Sequence, residues 1–138
     1  MIRQPTSTGI RSSADSTVDC SALWEDEMAR GNEAFAAGCY SGALDHFLRA
    51  RTLCAGALDC QAPCPDWLAA YGATTANIAH CWASIGLPDQ ANEALTSSMR
   101  WLRTLEARFQ TELQQTVVRK LFHHWQQLNQ CRWFSALR

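Results

Sequence analysis

Cysteine is the residue type with the most chemical potential in this chain, which holds seven cysteines among 138 residues. Cys54, Cys60 and Cys64 follow one another with C-x5-C-x3-C spacing, in or beside a segment that contains two prolines. A structural zinc site generally needs four thiolate or imidazole ligands, so this trio would need one more from elsewhere in the chain. The candidates for that fourth ligand are His46, His80 and Cys81. A metal-binding or redox protein is therefore one functional alternative.

Other features of the cysteines favour a structural role. Their number is odd, and the N-terminus lacks the continuous apolar segment of a signal peptide. Several of them stand where a small buried apolar residue would serve. We therefore predict a cytoplasmic protein in a reducing compartment, whose thiols mostly fill the core and which carries neither a metal nor a cofactor.

The sequence does not carry a pattern that predicts catalysis. It has no nucleophile motif of Ser, His and acid, no glycine-rich phosphate loop, and no paired carboxylates in helical register. His123 and His124 are adjacent, and adjacent residues on a helix point about 100° apart, so they do not readily share one metal ion. We therefore predict that the chain is not an enzyme.

The charge is nearly balanced overall but unevenly distributed. The net charge is −1, yet residues 1–99 hold eleven acids against five arginines, whereas residues 100–138 hold six arginines and Lys120 against two acids. We interpret the two parts as pairing within the fold rather than as a nucleic-acid surface. No apolar run approaches the ~20 residues that span a bilayer, so membrane insertion is not expected.

Trp133 and Phe134 suggest a homodimer contact, because exposed aromatic pairs often mark interfaces.

The chain reads as a tail followed by one helical domain. Residues 1–18 contain seven Ser or Thr and little to pack, so we predict a disordered tail at 1–18 and a single helical domain at 19–138. Apolar residues recur at helical spacing, and no segment alternates like a strand, which predicts an all-α fold of five helices. The predicted helix starts are Ser21, Ser41, Asp66 and Pro88, with the fourth and fifth helices separated around 107–111.

Two of these helices end on glycines that mark an internal repeat. Segments 31–53 and 79–102 match at seven positions when they are aligned on Gly38 and Gly86, with Trp82 offset by one residue from Phe35. In an antiparallel pair, small residues let two helix backbones approach, and a glycine at the turn adopts a left-handed conformation. The matching positions are Gly31, Phe35, Gly38, Tyr40, Ala43, Phe47 and Ala50 in the first segment and Ala79, Trp82, Gly86, Pro88, Ala91, Leu95 and Ser98 in the second.

This repeat resembles the tetratricopeptide repeat (TPR). The resemblance implies two long antiparallel helical hairpins and a C-terminal capping helix, arranged as an α-α superhelix. The chain departs from the family in one respect: its turn glycines lie 48 residues apart instead of the usual ~34. The last predicted stripe, which would form the buried face of the capping helix, is Leu113, Val117, Leu121, Trp125 and Leu128.

The resemblance also implies a function, that of a non-catalytic adaptor, regulator or chaperone that binds another protein. In TPR folds the first helices of successive hairpins line a concave groove that holds a peptide or an amphipathic helix. Two asparagines match the positions that hold a terminal carboxylate in some members, but the lysine expected there is replaced by Met28, so a more apolar groove is predicted. Alternatively, the asparagines bond only to the chain's own backbone. The partner-binding residues by this register are Met28, Asn32, Phe35, Asn77, His80 and Ser84.

Overall fold

A computed structural model describes residues 13–60, 64–105, 108 and 111–129, and every regular element in those ranges is an α-helix. The prediction of an all-α fold is confirmed over this part of the chain. In chain order, α2 packs on α1, α3 packs on α2, and both α4 and α5 pack on α3. The helices are α1 (Ser13–Ala36), α2 (Tyr40–Cys60), α3 (Pro65–Ile85), α4 (Pro88–Thr104) and α5 (Glu112–Asn129).

The two predicted glycine turns have the same geometry. Gly38 and Gly86 adopt left-handed conformations, with φ of +82° and +95°. At each glycine the N–H donates to the carbonyl three residues earlier, at 3.0 Å in both turns. The following N–H donates to the carbonyl five residues earlier, at 2.8 and 2.9 Å. Each turn therefore closes the end of one helix and reverses the chain into the next, which makes α1–α2 and α3–α4 a pair of helical hairpins.

The boundary between α4 and α5 falls where the sequence predicts it. α4 ends at Thr104 and α5 begins at Glu112. The N–H of Thr111 donates to the side-chain oxygen of Gln114 at 3.0 Å, and the N–H of Gln114 donates to the Thr111 hydroxyl at 3.1 Å. This reciprocal pair satisfies two N–H groups at the start of a helix, so it begins α5 at this point without a glycine or proline.

With this pair of hydrogen bonds, the buried face of the first turn of α5 differs from the predicted apolar stripe. Leu113, predicted to be buried, is 60% exposed, whereas Gln114 is buried. The buried face instead passes through Gln114, Val118 and Trp125, with Leu121 half-buried between them. The prediction for Leu113 is therefore wrong, because the capping bond turns Gln114 inward and moves its neighbour to the surface.

Two helices are longer than predicted. α1 begins at Ser13, so the predicted cap residue Ser21 lies inside the helix, and residues 13–18 of the predicted tail have helical backbone. α2 continues to Cys60, so the segment between α2 and α3 is shorter than the loop predicted over residues 58–66. Neither extension contains a proline or glycine, so its sequence holds no residue that disfavours the helix strongly. By contrast, α3 and α4 start at Pro65 and Pro88 in the first turn, in agreement with prediction.

Glycines within the helices differ sharply in what surrounds them. A Cβ on Gly31 would lie 2.5 Å from the Phe47 ring, and a Cβ on Gly72 would overlap Leu121, so both glycines permit close helix contact. Gly56, in the middle of α2, has no atom within 4 Å of a Cβ position. A mid-helix glycine costs about 0.5–1 kcal/mol relative to Ala, and at Gly56 no packing neighbour explains that cost.

No helix in the described residues is long and apolar enough to cross a membrane.

Candidate functional site

Four of the six predicted partner-binding residues surround one pocket. We call it the asparagine pocket; it has a volume of about 190 Å³ and lies where α1, α2 and α3 meet. The two asparagines lie on the first helix of each hairpin, α1 and α3, and the imidazole follows the second asparagine by one turn. The lining residues are Asn32, Phe35, Phe47, Asn77 and His80.

Aromatic side chains form the apolar part of this pocket. Phe47 is 1% exposed and packs beneath Gly31, while Phe35 is half-buried. The Phe35 ring lies 5.0 Å from that of Tyr40, centroid to centroid, at an interplanar angle of 60°. Since Tyr40 begins α2, this contact fixes Phe35 across the first hairpin, and it leaves part of the ring available to a ligand.

Polar groups stand beside these aromatic rings. Asn32 is exposed and Asn77 is half-buried, so both amides can reach the pocket and solvent. An amide both donates and accepts, which suits it to pair with the backbone of a bound peptide. The arrangement can therefore seat an apolar side chain while bonding to the main chain that carries it.

The other two predicted residues lie elsewhere. Met28 is half-buried, and its sulfur lies 3.6 Å from the Thr74 hydroxyl, which donates its proton to the carbonyl of Ala70 at 2.7 Å. The same hydroxyl accepts a bond from Trp24 Nε1 at 2.9 Å. Met28 thus belongs to the contact between α1 and α3. Ser84 is exposed one turn beyond His80 on α3. The pocket is therefore lined by four of the six predicted residues, and Met28 and Ser84 are not among its lining residues.

Phe47 is the pocket residue that the groove prediction did not include. It is one of the seven repeat positions, and it is almost fully buried. One signal in the sequence points to it: in the repeat, Gly31 is the small residue that lets the two backbones approach. The large side chain that enters such a gap necessarily comes near residues one turn away on α1.

An ion-pair cluster away from the pocket also joins α1 and α2. His46 Nδ1 lies 2.9 Å from Glu27 Oε1, and Arg49 Nε donates to Glu27 Oε2 at 3.3 Å. The hydrogen bond with His46 lowers the pKa of Glu27, and Arg49 adds to the effect. Because all three side chains are partly solvated, the cluster orients α1 on α2 more than it stabilises the fold.

His80 is held in its neutral form by its surroundings. Burial lowers its pKa below the ordinary value near 6.5, and the nearby His124 of α5 lowers it further. The unfolded chain binds this proton more readily, so stability is lost as the pH falls through 6.5 toward the pKa of the folded state.

We therefore expect the nuclear magnetic resonance titration of the His80 imidazole to have its midpoint below 6.5. Replacing His124 by Gln should raise that midpoint without restoring it fully, since burial remains. In urea unfolding at pH 7.5 and 5.5, the wild type should lose more stability on acidification than His80→Gln. A midpoint at or above 6.5 in the wild type would contradict this account.

The structure describes two members of the predicted cysteine trio, and they have different surroundings. Cys54 is fully buried in α2 with its sulfur 4.0 Å from the Thr74 hydroxyl, and burial raises its pKa to about 12. A thiol in this state is protonated at neutral pH and is a poor nucleophile and metal ligand. Cys64 is half-buried before α3, and the side chain of Cys60 lies outside the described residues.

The remaining predictions concern Cys81, metal binding, the two adjacent histidines and the C-terminal aromatic residues. Cys81 is buried, with a pKa raised by burial to about 11, as expected of a cysteine that fills the core. Within the described residues no group of three or more His, Cys, Asp or Glu side chains is arranged to hold a metal ion. His123 and His124 are both exposed. Trp133 and Phe134, the predicted homodimer contact, lie outside the described residues.

Comparison of the chain with models of protein families, with curated proteins and with solved structures finds no match. The residues and geometry of the chain itself are therefore the basis for assigning a function.

Proposed function

We propose that this chain is a non-catalytic protein-binding module with TPR-like architecture, which acts as an adaptor, regulator or chaperone. Its partner would offer an extended or helical segment to the asparagine pocket. The observation that carries the proposal is the convergence of Asn32, Phe35, Asn77 and His80 on one cavity with Phe47 at its base. Two hairpins with identical glycine turns, closed by α5 packed on α3, support the architectural part.

The size and chemistry of the pocket indicate what it would accept. An apolar cavity of about 150 Å³ can hold benzene, so a pocket of about 190 Å³ admits one large apolar side chain. Phe35 and Phe47 provide apolar contact, and the two amides provide hydrogen bonds to a peptide backbone. His80, neutral at pH 7, adds no charge. The expected ligand is therefore a segment with a Leu, Met or Phe anchor rather than a charged tail.

Panning a random peptide library against the purified protein would test this proposal. We expect the selected peptides to share one large apolar residue and to bind Asn77→Ala about two- to tenfold more weakly than the wild type, the loss typical of one net hydrogen bond. Fluorescence anisotropy with labelled peptides would measure the change. The matched control is Asn92→Ala, since Asn92 is an exposed asparagine on α4 and should leave affinity unchanged.

A second variant blocks the pocket without disturbing the core. Asn32 is exposed, so Asn32→Trp should fold normally while its indole covers the opening. Peptide binding should then be lost, with an unchanged melting temperature. If the selected peptides bind both Asn32→Trp and Asn77→Ala as tightly as the wild type, the assignment of this pocket is wrong.

A further inference from the structure

A second cavity, larger than the asparagine pocket, lies away from it. It is a cleft of about 560 Å³ between α2, α3 and α4, which we call the Tyr71 cleft, and it shares no lining residue with the asparagine pocket. The residues that matter for its chemistry are Arg51, Gly56 and Asp59 on α2, Tyr71 on α3, and Ser98 and Trp101 on α4.

The wall formed by α2 has a charged side chain at each end, and between them lies Gly56, which has no side chain. Arg51 and Asp59 are eight residues apart, about 12 Å along a helix, and Gly56 lies between them. Among the described residues Arg51 forms no ion pair, although its side chain is half-buried. A guanidinium in this position is suited to hold a carboxylate or phosphate by a pair of parallel hydrogen bonds.

The opposite wall is aromatic and hydroxylated. The rings of Tyr71 and Trp101 pack at 5.0 Å between centroids with an interplanar angle of 40°, and Trp101 is half-buried, so part of its indole faces the cleft. Tyr71 and Ser98 are both buried, at 4% and 2% exposure. Burial also raises the pKa of Tyr71, so its phenol remains a protonated group at neutral pH. This wall therefore offers a stacking surface backed by fixed hydroxyls.

Gly56 keeps the cleft open. A Cβ at this position would meet no protein atom within 4 Å, and Gly56 lines the cleft. Glycine weakens the middle of a helix, and here it is not required by a neighbouring helix, unlike Gly31 and Gly72. Its effect on the fold is to leave a flat backbone surface where any other residue would fill part of the cavity.

We propose that the Tyr71 cleft binds a small planar aromatic anion, with its ring between Trp101 and the bare backbone of Gly56 and its anionic group on Arg51. Asp59, at the other end, favours a ring that carries an amino group pointing away from the anion. A nucleoside monophosphate and an amino-substituted aromatic carboxylate share this chemistry. The site is separate from the asparagine pocket, so the protein would combine peptide binding with small-molecule binding.

Isothermal titration calorimetry on the full chain would test the proposal. The probes are adenosine monophosphate and 4-aminobenzoate, and their neutral counterparts are adenosine and 4-aminobenzamide. We expect at least one anionic probe to bind at least tenfold more tightly than its counterpart, and the tighter of the two identifies phosphate or carboxylate as the preferred anion. If neither anionic probe binds, or if the neutral compounds bind equally well, the proposal is wrong.

Two variants locate the binding. Gly56→Leu should abolish it, while the melting temperature stays the same or rises by about 2–5 °C, because Leu favours the helix and its Cβ has open space. Arg51→Gln should weaken it at least tenfold, whereas Arg30→Gln, at an exposed arginine of α1, should not change it. Binding that survives in a folded Gly56→Leu protein would overturn the assignment to this cleft.

Asn32→Trp, which blocks the asparagine pocket, should leave probe binding intact. The proposals for the two sites can therefore be contradicted independently.

Discussion

Replacing Trp125 by Ala is expected to lower the free energy of unfolding by about 3–5 kcal/mol, the range for removing a buried Trp or Phe. Trp125 is 0% exposed and is the largest side chain that α5 buries. Its ring lies 6.3 Å from those of Tyr71 and Phe122, and its Nε1 donates to the carbonyl of Gly72 at 3.4 Å. Because α5 docks mainly on α3, this one side chain carries much of that contact.

Urea denaturation followed by circular dichroism would measure the loss. Trp125→Phe keeps an aromatic ring but removes the N–H donor, so it should cost less than the alanine variant. Lys120→Ala is the matched control, since Lys120 is exposed on the same helix and should change stability by no more than about 0.5 kcal/mol. A loss below about 1 kcal/mol for Trp125→Ala would show that α5 does not dock on α3 as the structure has it.

Replacing Phe47 by Ala should also cost about 3–5 kcal/mol, because its ring is 1% exposed in the core between α1, α2 and α3. Gly31 makes a more specific test. A Cβ on Gly31 would lie 2.5 Å from Phe47 Cε1, so Gly31→Ala in the wild type should destabilise by about 1–3 kcal/mol through overpacking.

The same glycine substitution should change sign once the ring is removed. In a Phe47→Ala background the space is vacant, so Gly31→Ala should be neutral or stabilising by up to about 1 kcal/mol. The difference between the two backgrounds, read from denaturation midpoints as a double-mutant cycle, measures the contact. Equal effects in both backgrounds would mean that Gly31 and Phe47 do not touch. Gly56→Ala, where no neighbour lies within 4 Å, is the control that reports helix propensity alone.

Much of the fold could be predicted from local signals in the sequence. Gly38 and Gly86 end α1 and α3 because only a residue without a Cβ adopts the left-handed turn easily, and Pro88 starts α4 because its missing N–H is not needed there. The repeat positions Ala91, Leu95 and Ser98 of α4 are all buried. These features depend on residues within one or two turns of each other.

The errors arose where two local signals competed. Leu113 fits the apolar spacing of α5, but the capping pair of Thr111 and Gln114 controls the first turn and places Gln114 inward. Ser21 has the chemistry of a helix cap, yet the helix already runs through it from Ser13. At Leu113 the capping pair decides which face of the first turn is buried. At Ser21 the helix boundary lies earlier in the chain, at Ser13.

The sequence by itself determined the helices and their turns, and it placed Asn32 and Asn77 on the first helix of each hairpin, because these features follow from backbone preferences and periodicity. Only the tertiary structure decided that four of the predicted residues share a pocket with Phe47, that Met28 joins Thr74 instead, and that Cys54 is sealed in the core. It also decided that Gly56 faces an open cleft while Gly31 and Gly72 face neighbouring side chains. These outcomes depend on distances between residues far apart in sequence, which helical spacing does not specify.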